Sequence, residues 1–229
     1  MSTTAPEQAA TTVTVTMTSD YICPWCRIGE KRLMDAIAQL PEDIAVEVQL
    51  KPFELNPDMP KEGIPRRMYR TMKFGSWERS QQLDAGTIAA GAPDGVTFNY
   101  DAMERTPNSF AAHKLTRWAE GQGPAQVLDL AHGLLKAYFV EGRDIGDPAV
   151  LVAVAEETGL DGQAAKAYLD NPETDGETRK ALADAARAGV SGVPQFDIGD
   201  LTLRGAQPAP YLLDAILSAA QAQQQPSEG

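Results

Sequence analysis

The chain has 229 residues, of which 43% are hydrophobic and 23% charged, and a formal net charge of −12. It is long enough to bury a sizeable core in one domain, or in one domain carrying a second. The acidic balance excludes a nucleic acid partner, whose phosphates require clustered Lys and Arg. No run approaches the roughly 18 apolar residues of a membrane span. The opening stretch MSTTAPEQAATTVTVTM has neither a basic nor an apolar secretory region, which predicts a cytoplasmic protein.

Residues 1 to 11 are polar and predicted to fray. From Thr12 to Met17, Val13, Val15 and Met17 alternate with threonines, a strand pattern ended by Ser19-Asp20-Tyr21. A helix follows from Pro24, a residue suited to a first turn because its missing N–H costs nothing there. Leu33, Ala36, Ile37 and Leu40 continue it at helical spacing up to Pro41, and Ile44, Val46, Val48 and Leu50 then alternate as a second strand ending at Lys51-Pro52. Pro57, Pro60, Gly63 and Pro65 mark a change of character, and from about 66 to 188 the signals are helical. Pro124 and the pair Asp147-Pro148 open helices there, Asp161 caps another, and Gly86 to Asp101 reads as a loop. Strands return at Pro194–Ile198 and Leu201–Arg204 around a Gly199-Asp200 turn, before a final helix carrying Leu212, Leu213, Ile216, Leu217 and Ala220. The tail QAQQQPSEG is predicted to be disordered.

Neither β-containing end has enough strands for a stable sheet alone. Joined, they make an α/β fold: one mixed four-stranded sheet from residues 12–65 and 189–222, with residues 66–188 as an inserted helical domain.

Only two cysteines are present, and both lie in Cys23-Pro24-Trp25-Cys26 at the first strand-to-helix junction. A secreted disulfide scaffold would use more cysteines at scattered positions. A structural zinc site needs about four ligands, and His113 and His132 have no ligand spacing to the pair. Disulfide exchange, in contrast, needs a thiolate, and a helix amino terminus supplies unpaired N–H donors and partial positive charge to stabilise one. Cys23 precedes the first turn and is assigned as nucleophile; Cys26, deeper on the same side, is assigned as resolving thiol. Pro24 stiffens the turn, and Trp25 offers apolar surface where a substrate can rest.

The residues CPWC, reached through TVTVTMTSDYI, resemble the active site of the DsbA-like branch of the thioredoxin superfamily. KPFELNPDMP (51–60), PNSFAAHKLTRWA (107–119), KAYFVEGRDIGDPAVL (136–151), AGVSGVPQF (188–196) and RGAQP (204–208) resemble its cytoplasmic FrnE group, so the similarity covers nearly all of residues 13–218. The resemblance implies a thioredoxin-like fold interrupted by a helical domain, with Val193-Pro194 as a cis-proline loop against the dithiol. It also implies disulfide- or thiol-containing proteins or small molecules as substrates, with no resident cofactor and glutathione as a redox partner. Gln195 departs from the smaller or more apolar residue expected after that proline. Kappa-like glutathione transferases and isomerases share the architecture but carry serine at the first active position, which Cys23 disfavours. They and a metal-binding CxxC protein are the alternatives. The sequence carries no signal for an oligomeric state.

Several other residues are weighed between a bland and a functional role. Arg66, Arg67, Arg70 and Lys73 read as a solvated helix face, with an anion-binding patch as the alternative. His113, with Ser109 and Arg117 as i, i+4 neighbours, reads as a packed or surface histidine before a proton relay; His132 reads as structural. Trp118 is assigned to core packing, Trp77 to core packing or a groove, and Phe53 and Leu55 to the site edge.

Overall fold

The computed structural model describes residues 11–224; the predictions for residues 1–10 and for the end of the tail, 225–229, fall outside them. Strand β1 (Thr11–Ser19) leads into helix α1 (Pro24–Ile37) and back to β2 (Ile44–Pro52), which pairs parallel to β1. Late in the chain, β5 (Gln195–Ile198) and β6 (Leu201–Arg204) form a hairpin whose turn uses Gly199 at φ 54°, a conformation that suits a residue without Cβ. Strand β5 pairs antiparallel with β1, giving one sheet in the order β2-β1-β5-β6, and α9 (Ala209–Gln224) packs on β1 and α1. Helix α9 runs through Gln221–Gln224, four residues into the predicted tail.

The alternation in β1 is only half of its burial pattern. Val13, Val15 and Met17 are buried, and so are Thr16 and Thr18, while Thr12 and Thr14 on that same second face stay exposed: this central strand is covered on both faces only over its last residues, towards the dithiol. Each large apolar side chain so buried contributes about 1.5–3 kcal/mol.

Between the two halves of the sheet run β3 (Ile64–Pro65), α2 (Arg66–Phe74), α3 (Trp77–Gly91), β4 (Arg105–Thr106), α4 (Phe110–Ala119), α5 (Pro124–Phe139), α6 (Pro148–Glu157), α7 (Gly162–Asp170) and α8 (Asp175–Arg187). Asp147 and Asp161 cap α6 and α7 through their carboxylates. The expectation of a loop from Gly86 needs correction: α3 continues to Gly91, and the irregular path starts only there. Gly86 costs the helix about 1 kcal/mol relative to alanine, and the rest of α3 tolerates it. The β3–β4 ladder, two residues long, pairs Ile64 with Thr106 and gave no sequence signal.

Two hydrophobic cores result. One surrounds the sheet, with Val15, Cys26, Phe196, Leu212 and Ile216 at its centre; the other is helical, around Leu115, Leu130, Leu134, Phe139 and Leu151. Trp118 packs partly buried against the second. Arg32 of α1 joins distant segments: its Nε pairs with Asp94 Oδ2 at 2.7 Å, while Nη1 and Nη2 donate to Ala206 O at 2.7 Å and Ala90 O at 3.0 Å.

Candidate active site

The register fixes where the site must form. Gln195 lies opposite Thr18, so the chain before β5 arrives beside the end of β1, four residues before Cys23. Cys23 is the N-cap residue of α1 and is extended (φ −93°, ψ 113°), with Pro24 in the first turn. Its N–H donates to Asp20 O at 3.1 Å, and its carbonyl accepts from Cys26 N–H at 3.0 Å. Both thiols are free.

The two sulfurs differ in surroundings. Cys23 is 4% exposed, and its Sγ donates to Val193 O at 3.6 Å; Cys26 is fully buried. Burial above all, then the hydrogen bond and charge interaction with Cys23, pushes the Cys26 thiol well above its ordinary pKa. The Val193–Pro194 peptide bond is cis, and Pro194 O accepts from Gly205 N–H at 2.8 Å. Gly29, on the first turns of α1, lets this loop close in: a Cβ there would stand 2.9 Å from Pro194 Cγ and 3.1 Å from Phe196 Cζ. Trp25 is 42% exposed beside Cys23.

Behind the dithiol, Asp20 is fully buried. Its Oδ2 accepts from Leu55 N–H at 2.7 Å and its Oδ1 from Ile22 N–H at 3.4 Å. His113, also buried, places Nε2 3.4 Å from Asp20 Oδ1 and 3.0 Å from Phe53 O. A carbonyl only accepts, so Nε2 carries a proton. His113 therefore packs behind the site, joined to it through Asp20, with its ring against Tyr21. His132 instead lies half-exposed, with Nδ1 3.0 Å from Glu30 Oε1 of α1.

In front of Cys23 opens a cavity of about 540 Å³, lined by Ile22, Cys23, Pro24, Trp25, Leu55, Gly192 and Val193 on the sheet side and by α2 and α3 on the other. It brings Cys23, Pro24, Trp25 and Val193 together; Cys26 and Pro194 lie behind its wall, and Phe53 is not among its lining residues. A larger cavity of about 820 Å³, bordered by Thr18, Lys51, Asp184, Gln195 and Arg204, reaches neither sulfur. The smaller one therefore bears on the chemistry.

Arg66, Arg67, Arg70 and Lys73 are not a solvated face. Arg66 is buried and pairs with Asp84 Oδ2 at 2.7 Å; Arg70 pairs with Asp84 Oδ1 at 2.6 Å and stacks on Phe74. Burial lowers the Arg70 pKa, while Asp84 works to raise it. Only Arg67 and Lys73 of the four are exposed, and Arg67 lies over Trp77. Asp84 and Asn56 escaped the sequence reading because nothing local marks them; Asp20, three residues before the dithiol, could have been found from its place in the turn. Among the described residues no group of three or more His, Cys, Asp or Glu could hold a metal ion, and no helix is long and apolar enough to cross a membrane.

The geometry has counterparts in known proteins. A family model described as the DSBA-like thioredoxin domain matches residues 14–217. The uncharacterized protein YwbO of Bacillus subtilis is 31% identical over 196 residues, covering 85% of this chain and 91% of that one. A crystal structure of a probable DsbA oxidoreductase from Streptomyces coelicolor superposes with a TM-score of 0.83 at 30% identity, covering 95% of this chain and 93% of that one. The cytosolic disulfide reductase DsbM of Pseudomonas aeruginosa, solved with GSH, shares the fold at a TM-score of 0.62 and 21% identity, over 93% of this chain and 98% of that one.

Proposed function

The chain belongs to the DSBA-like thioredoxin domain family, and from that premise we propose that it exchanges disulfides through Cys23 and Cys26, as a protein disulfide oxidoreductase of the DsbA-like type. One observation carries this reading: Cys23 ends an open cavity at the amino terminus of α1, while Cys26, one turn on, is sealed behind it. The Cys23 thiolate attacks a substrate disulfide, the S–S bond breaks, and one substrate sulfur leaves with the electron pair and takes a proton. Cys26 then gives up its proton and attacks Cys23 in the mixed disulfide. The second substrate thiol departs, and the enzyme holds a Cys23–Cys26 disulfide. The same steps reversed transfer the disulfide to a dithiol substrate.

Pro24, Trp25, Val193 and Pro194 are the substrate-binding residues of this reading, Trp25 and Val193 from the cavity edge. Membership of the FrnE group, a cytoplasmic setting, glutathione as redox partner and the division into residues 12–65 with 189–222 around 66–188 belong to the same proposal. The cytoplasmic setting is in keeping with a protein of the same fold, DsbM of Pseudomonas aeruginosa, being described as cytosolic.

Replacing Cys26 by serine should trap substrates as mixed disulfides on Cys23, seen as adducts lost on reduction. Alkylation of the reduced wild type near pH 6 should label Cys23 first. Equal trapping through Cys26 in a Cys23→Ser variant would show the two thiols interchangeable and overturn the assignment of roles.

A further inference from the structure

We infer that the cavity in front of Cys23 is a subsite for a low-molecular-weight disulfide with an apolar, flat body and a carboxylate. The inference rests on disulfide exchange at Cys23 and names the class of substrate that the cavity would admit.

Access comes first. At 4% exposure, Cys23 presents little surface beyond the cavity it lines, so whatever part of a substrate carries the disulfide must reach the sulfur through that cavity. A volume of about 540 Å³ falls within the roughly 300–1,000 Å³ of small-ligand sites.

The far wall then sets the chemistry. Arg66, Tyr69, Arg70, Lys73 and Phe74 recur at i, i+3, i+4, i+7 and i+8, so one stripe of α2 faces the dithiol, and Met68 and Met72 are left outside and exposed. The rest of the lining is mainly apolar and aromatic: Leu55, Leu83, Tyr100, Met103, Tyr138 and Phe139. Against the three cations stands one carboxylate in the lining, Asp84, already shared by Arg66 and Arg70. Lys73 Nζ donates to neutral groups, Asn56 Oδ1 at 2.9 Å and Tyr69 Oη at 2.7 Å, and among the described residues no carboxylate pairs with it. Asn56 Nδ2, in the same wall, is buried without a hydrogen-bond partner. In a chain of net charge −12, this is a local excess of positive charge at the solvent-facing edge of a largely apolar pocket. An acidic group on the ligand would sit by Lys73, and its apolar body would fill the space towards Cys23.

The reaction is a single balanced exchange. R–S–S–R is reduced to two R–SH, and the Cys23–Cys26 dithiol, which supplies the two protons and two electrons, is oxidised to the disulfide.

The test is single-turnover oxidation of the reduced full-length protein at pH 7 by three probes: the disulfide of thionitrobenzoic acid (aromatic, acidic), dithiodipyridine (aromatic, uncharged) and glutathione disulfide (acidic, polar). Each rate is divided by that of the same probe with dithiothreitol, which removes intrinsic reactivity. The aromatic acid should lead dithiodipyridine by about tenfold, which is about 1.4 kcal/mol, and glutathione disulfide by more, since only the aromatic acid has both the charge for Lys73 and the flat apolar body. In Lys73→Gln the lead over dithiodipyridine should collapse to within about twofold, and Lys73→Arg, keeping the charge, should restore most of it. Equal normalised rates for all probes, a preference untouched in Lys73→Gln, or scrambled ribonuclease with its disulfides formed oxidising the protein faster than the aromatic acid would overturn the subsite. If no disulfide oxidises Cys23, disulfide exchange itself falls.

Discussion

Asp20 and Asp84 are both carboxylates close to the dithiol, and each is buried, yet their surroundings differ. Asp20 sits behind Cys23 with no exposed surface, and backbone N–H groups of Ile22 and Leu55 together with His113 surround its oxygens. Asp84 sits in the cavity wall between two guanidinium groups, and the cavity gives that triad a solvent side. The first cluster is enclosed and shapes the turn that presents Cys23. The second leaves surplus positive charge facing an opening. Similar side chains therefore build a scaffold where every partner is protein and a recognition surface where one side is left for something else.

Stability measurements separate the two. Asp20→Ala should cost the most, about 3–5 kcal/mol by urea denaturation, because it strands two N–H groups and a buried histidine in a dry site. Asp84→Ala should cost less, about 2–3 kcal/mol, because water in the cavity can solvate the freed guanidinium groups. Equal losses would mean that the cavity wall is as sealed as the back of the site.

The Glu30–His132 pair supplies the lower end of the scale. Its hydrogen bond to Glu30 raises the His132 pKa above the ordinary value against a smaller lowering by burial. A group whose folded pKa is raised contributes stability that is fully present below its unfolded pKa, about 6.5, and lost as pH climbs through the raised value. The His132 side chain is 56% exposed, so the contribution should stay below about 0.5 kcal/mol. His132→Ala should thus lower the thermal midpoint slightly at pH 5.5 and still less at pH 8.5. A larger gap at the higher pH would contradict that sign.

How far the sequence revealed this arrangement depends on the range of the interactions. The strands Thr12–Met17, Ile44–Leu50 and Leu201–Arg204, the caps at Asp147 and Asp161 and the dithiol at a strand-to-helix junction are written in neighbouring residues, and they appear where expected. Arg66 shows the limit. Four cations in eight residues look like a wet surface, because the residue that buries Arg66, Asp84, lies 18 positions away and belongs to no motif. His113 likewise has no spacing to test; its place is set by Asp20 and Phe53, 93 and 60 residues before it in the chain. The same holds for Gly86, which breaks a helical pattern on paper and leaves α3 intact in the fold.

Arg32 bears on how anything reaches the sulfurs. Its guanidinium grips the last turn of α3, the Asp94 carboxylate just beyond it and the segment before α9, all from within α1. Hydrogen bonds to charged groups are worth about 1.5–3 kcal/mol each, and swinging α3 away from α1 would break those to Ala90 and Asp94 together. That side of the opening is riveted. A visitor enters through a standing doorway, and selection falls on its width and lining, with no lid on the α3 side to close over the guest.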